Sequence, residues 1–95
     1  MKLYVVVRSD MSQSQQAVQA GHALAELLLK KKIGWSNGTL VYLGVKDEKK
    51  LRKLFDKVPT RNKKAFLEPF WDNSMTAFAA YGRDVSEFLK QYPLL

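Results

Sequence analysis

Ninety-five residues, 46% of them hydrophobic, supply one core and no second domain, so residues 1–95 read as a single domain. With no cysteine and a single histidine, disulfides, thiolate metal sites and a His-based zinc site drop out, and no metal or other cofactor is expected. Sixteen Lys and Arg against nine Asp and Glu leave a formal charge of +7, which favours encounter with polyanions, nucleic acid or an anionic membrane face.

Lys2 to Arg8, KLYVVVR, is nearly continuous in apolar character and suits a central strand buried on both faces. Its five apolar residues, Leu3 to Val7, are far too few for a signal-peptide core or a membrane span, so a cytoplasmic protein without a membrane partner is expected. A loop, Ser9 to Ser12, leads into a helix over about Gln13 to Lys32. Asp10 with Gln13, and Ser12 with Gln15, both fit an N-cap followed by Gln three residues on. The helix start points free amides and a positive dipole end at the loop, a place for an anion or a developing oxyanion.

On that helix Gln15, Gln19, His22 and Glu26 share one face at steps of four, three and four. Ala17, Ala20, Gly21, Leu24, Leu27 and Leu28 line a neighbouring stripe, which is expected to pack closely on a sheet. Lys30, Lys31 and Lys32 complement the negative helix end, and Gly34 is expected to cap it. The lysine run reads as a solvated helix end or as a phosphate contact.

Trp35 is expected to cover the core beside this helix, and Trp35 to Gly38 form a turn. Thr39 to Val45 reads as a second buried strand. Asp47 to Lys57 is amphipathic, with Leu51, Leu54 and Phe55 inward, an acidic first turn and basic outer faces. Lys63 to Glu68 gives a third strand, ended by Pro69, which lacks a ladder N–H. Phe70 to Ser74 connects a hairpin to a fourth strand, Thr76 to Tyr81, antiparallel to the third. Phe70 and Trp71 at its tip are either tucked over the sheet edge or exposed for base stacking; tucking is the expectation. A last helix, about Asp84 to Gln91, is capped by Asp84 or Ser86. The order β-α-β-α-β-β-α predicts an α/β fold, a three-layer α/β/α sandwich around a four-stranded mixed sheet.

Two stretches carry a family pattern. Val5-Val6-Val7-Arg8-Ser9-Asp10-Met11, followed by Ala17, Gln19 and His22-Ala23, resembles the "VVR-D-M … AAQ--HA" signature of the type 2 peptidyl-tRNA hydrolases, and Glu68-Pro69, Asn73 and Thr76-Ala77-Phe78-Ala79 resemble the "EPD-GN-LTAIA" stretch of shorter, bacterial-like members. The resemblance implies a four-stranded sheet whose fourth strand is antiparallel to the rest, and hydrolysis, without metal, of the ester joining a peptide to the terminal ribose of tRNA. It further implies that strand four lies beside strand one, so that Thr76 and Glu68 or Asp72 face His22 and Gln19. On that arrangement His22 is expected to act as base, oriented by Glu68 or Asp72, with Gln19 and Thr76 positioning water or the substrate carbonyl. Arg8, Gln13, Gln15 and Lys30 to Lys32 are the expected tRNA contacts. A homodimer is left open.

Two departures keep a second reading alive. Better-known members carry lysines where this chain has Gln13 and Gln15, which can donate hydrogen bonds but bring no charge. The position after Pro69 is Phe70 in place of an acid, with Asp72 two residues later. A catalytically silent relative that binds RNA or protein fits these changes. An interaction protein with no nucleic-acid partner is the third class.

Overall fold

The computed structural model describes residues 1 to 95 and runs β1 (Leu3–Arg8), α1 (Gln13–Lys30), β2 (Leu40–Val45), α2 (Glu48–Lys57), β3 (Lys63–Glu68), β4 (Ser74–Tyr81) and α3 (Val85–Leu89), with a 3-10 turn, Pro69–Trp71, between β3 and β4. The expected α/β order and mixed four-stranded sheet are present. Strands lie in the order β2-β1-β4-β3; β1 and β2 are parallel, and β4 is antiparallel to both β1 and β3. β1 and β4, in the middle, are buried over almost their whole length.

The two faces of the sheet build two cores. Leu3, Val5 and Val7 with Ala77, Ala79 and Tyr81 pack under Ala20, Ala23 and Leu27 of α1. Tyr4, Val6, Phe78 and Ala80 face the other way, against Leu51 and Leu54 of α2 and Val85 and Leu89 of α3. Alternation along β1 thus feeds both layers. The alanines of α1 and β4 let helix and sheet backbones approach closely, whereas the α2 side is filled by larger groups, with Phe55 edge-on to Phe78 at 5.3 Å between ring centres.

Several expectations need correction. α1 ends at Lys30: Lys31 is extended, its N–H still reaching the Leu27 carbonyl, and Gly34 is not in the left-handed region, so it does not cap the helix. The packed stripe of α1 runs through Gln19, Ala20, Ala23 and Leu27, while Ala17, Gly21 and Leu28 face solvent. β2 is an edge strand, buried only over its second half. Its free edge is covered by the C-terminal segment, through Gly44 N–H to the Pro93 carbonyl at 3.1 Å and Leu95 N–H to the Tyr42 carbonyl at 3.0 Å. α3 stops at Leu89, and Asp84 precedes it without a side-chain capping bond. Phe70 is 92% exposed and is not tucked, whereas Trp71, at 37%, is largely covered. Trp35 does cover the α1 core, and its indole N–H donates to the Thr39 carbonyl at 3.1 Å. No helix is long and apolar enough to cross a membrane.

One irregularity positions the site. Phe66 pairs with Ala77 but Leu67 pairs with Met75, which leaves Thr76 as the extra residue of a β-bulge. Met75 therefore belongs to the α2 core while Ala77, two residues on, belongs to the α1 core. Thr76 is turned towards α1.

Candidate active site at the bulge of β4

The site begins with the cap of α1. Ser12 Oγ accepts the Gln15 N–H at 3.3 Å, which settles the start of the helix. Gln16 pins the preceding loop, its side-chain amide donating to the Met11 carbonyl at 2.8 Å. Asp10 does not cap; it holds Arg8 in two parallel bonds of 2.9 Å.

From this start α1 crosses β3, and a helix step of three meets a strand step of two. Gln19 reaches Glu68, and His22, one turn on, stacks on Phe66 with ring centres 4.4 Å apart and planes 12° off parallel. The Thr76 hydroxyl donates to Gln19 Oε1 at 2.7 Å, and Gln19 Nε2 donates to Glu68 Oε1 at 2.9 Å. Donation runs one way, from hydroxyl to amide to carboxylate, and the amide is fixed in one orientation by having a donor at one end and an acceptor at the other. Gln19 and Thr76 are 1% and 0% exposed, so Glu68 is the member of the run that meets solvent.

The expected site residues are not all equally placed. Gln19 and Thr76 are buried and bonded to each other, and Gln19 to Glu68, so neither is open to solvent. His22 is exposed and hydrogen-bonded to neither Glu68 nor Asp72; its neighbour is the ring of Phe66. Asp72 is exposed at the end of the 3-10 turn, in the left-handed region at φ 50°, and takes no part in the run. Arg8 is committed to Asp10 and has its remaining nitrogen 3.5 Å from Ser74 Oγ and the Met75 carbonyl. Gln13 and Gln15 are exposed on the first turn of α1. Lys30, Lys31 and Lys32 stand at the far end of the helix, more than about 15 Å along the axis from Gln19 at 1.5 Å per residue, and do not join the site. No three His, Asp or Glu side chains converge as a metal centre would need.

Glu48, read from sequence only as part of an acidic first helical turn, contributes from the opposite face. Its carboxylate accepts the Met75 N–H at 2.7 Å and also holds Arg52 at 2.9 Å, so the backbone of the bulge is fixed from α2. The Met75 N–H holds the Glu48 carboxyl below its ordinary value of 4.5, against the cost of desolvation and with help from Arg52. A carboxyl lowered on folding supports stability fully above its unfolded value, and that support is lost as pH falls through the folded value. Asp10, lowered by its bond to Arg8, acts in the same direction. The urea midpoint is expected to drop on acidification below about pH 4.5, and to drop less steeply in Glu48→Gln; an unchanged acid limb in that variant would remove Glu48 from this role.

A scan against protein-family models and a search of the curated proteins find no match to this chain.

Proposed function

We propose that this protein hydrolyses the ester of peptidyl-tRNA in the cytoplasm, releasing the peptide as an acid and the tRNA with a free ribose hydroxyl. The observation that carries the reading is convergence: two stretches that each resemble the type 2 peptidyl-tRNA hydrolases meet at one side chain, Gln19, which bonds to both Thr76 and Glu68 across 57 and 49 residues of sequence. Buried polar groups are costly unless fully paired, and this run ends in a carboxylate held at one oxygen, with the exposed imidazole of His22, one helical turn from Gln19, stacked on Phe66.

We assign the proton-accepting role to Glu68, with His22 lining the substrate side. Glu68 takes the proton as water attacks the ester carbon, and the same proton passes to the ribose oxygen as the C–O bond breaks. Orientation favours Glu68, since Gln19 fixes it, whereas no hydrogen bond fixes the His22 ring. The +7 charge favours the polyanionic substrate.

The test is release of tRNA from N-acetyl-aminoacyl-tRNA. Glu68→Gln is expected to slow release by about 10²–10⁴-fold, the usual worth of a general base, and His22→Ala by less than about tenfold. The reverse ranking would return the base role to His22. Absence of release by the wild-type protein, with tRNA binding intact, would favour the second reading, a silent RNA-binding relative. Gln13 and Gln15, at positions where lysines would bring charge, are the observation on its side.

A further inference from the structure

We propose that a lysine-rimmed groove between α2 and the C-terminal segment binds a single strand of RNA through its phosphates. The groove, about 370 Å³, is rimmed by Lys46, Lys50, Lys53 and Lys57, with Tyr92 and Pro93 as its far wall and Leu54 in its floor. It lies on the α2 side of the sheet, away from the Gln19 side chain.

Charge is sorted around this groove. No Asp or Glu lines it, and the ion pairs of the fold, Arg8 with Asp10, Arg52 with Glu48 and Lys90 with Glu87, involve none of its four lysines. Glu48, the acid nearest in sequence to Lys50, is turned to Met75 and Arg52. Lys50, Lys53 and Lys57 follow steps of three and four, so like charges stand on one helical stripe, where they repel one another by a few tenths of a kcal/mol per pair. Asp47, whose carboxylate accepts the Lys50 N–H, and Asp56 flank the stripe, but neither lines the groove or pairs with its lysines, so the positive charge is concentrated on a concave surface.

The shape selects a strand. Seven residues of helix carry the lysines from Lys50 to Lys57 over about 10 Å, a span comparable to the separation of neighbouring phosphates on one strand. Lysine acts on phosphate as a point charge and needs no fixed angle, and the half-buried Tyr92 offers an aromatic surface against which a base can lie. An acidic peptide would use the charges and leave that surface idle.

The choice of RNA rests on the proposed function, but the groove is tested without it, using a twelve-nucleotide oligouridylate that carries no ester. Binding is followed by fluorescence anisotropy across a salt series for the wild type, Lys50→Gln/Lys53→Gln, and Lys2→Gln/Lys49→Gln, which removes the same charge outside the groove. The groove pair is expected to lower the slope of log affinity against log salt by about 1.4, the loss of two phosphate contacts on a single strand, while the control pair stays close to wild type. Equal losses in both pairs, or none in the groove pair, would overturn the proposal. So would groove-dependent binding of tripolyphosphate or of a polyglutamate peptide with no groove-dependent binding of the oligonucleotide. Groove-dependent binding without ester release would count against the hydrolase alone, and ester release without groove dependence against the groove alone.

Discussion

Thr76→Val is expected to slow tRNA release by about 10²-fold through kcat with KM nearly unchanged, the scale on which lost positioning acts, and to cost about 1–3 kcal/mol of stability. Valine keeps the volume of threonine and its preference for a strand, so the bulge survives the change. What is lost is one hydroxyl proton. Gln19 Oε1 then has no donor in a place where the residue is 1% exposed. Glu68 still disfavours the flipped amide, whose oxygen it would repel, so Gln19 must keep an unpaired buried oxygen or move away, and Glu68 is held less firmly. Gln19→Leu should cost less stability, because the Thr76 hydroxyl can fall back on the Phe66 carbonyl, now 3.5 Å away, and Glu68 can be hydrated. The double variant should be more stable than the two losses summed, since each partner's unpaired state is removed with the other. Strict additivity in urea melts would show that the three groups are not one unit.

Phe78→Ala is the most damaging single change expected for the fold, at about 3–5 kcal/mol out of the roughly 5–15 kcal/mol that a domain has to spare. Phe78 is fully buried in the α2-side core, where Phe55 meets it edge-on and Val6 is fixed in the central strand; of its cluster Met75 is the most adaptable side chain. With a urea slope of about 1–3 kcal/mol/M, the midpoint should fall by about 2 M. A loss below about 1 kcal/mol would mean that the α2 face collapses on the cavity, which would also narrow the groove beside Leu54.

The architecture was legible because its signals were local. Leu3 to Val7 could only be an interior strand, Pro69 could only end one, and Leu51, Leu54 and Phe55 repeat at helical spacing. The errors at the site have one physical origin, that a side chain's partner lies elsewhere in the chain. Gln19 looks like a surface residue beside an alanine stripe, and pattern alone turns the packed face of α1 away from it. The helix rotates Gln19 inward because Thr76 and Glu68 complete its hydrogen bonds, and Leu28 and Leu29 go to solvent in exchange. The motif pairing brought Gln19, Glu68 and Thr76 into one list, but nothing in their spacing shows which of them is reachable. That follows from the bulge, and no residue marks it: the sequence pattern opens the fourth strand at Thr76, whereas β4 begins at Ser74 and Thr76 is its bulged residue. Glu48 was hidden for the same reason, since a glutamate in a first helical turn has a sufficient local explanation and its bond to Met75 spans 27 residues of sequence.

The three residues after Tyr92 have a consequence for the behaviour of many copies together. A sheet edge with free N–H and C=O groups is a template on which another chain can add a strand. On the β3 side that invitation is blunted by Lys63 and Lys64 and by the break in register near Leu67. β2 has no such charges within it, only Leu40-Val41-Tyr42-Leu43-Gly44-Val45. Its protection is the chain's own tail, seated where a foreign strand would otherwise lie. Two backbone bonds and a short apolar contact therefore occupy the edge on which another molecule could add a strand, and detaching Pro93 to Leu95 from it is expected to lower the protein's solubility before it changes its fold.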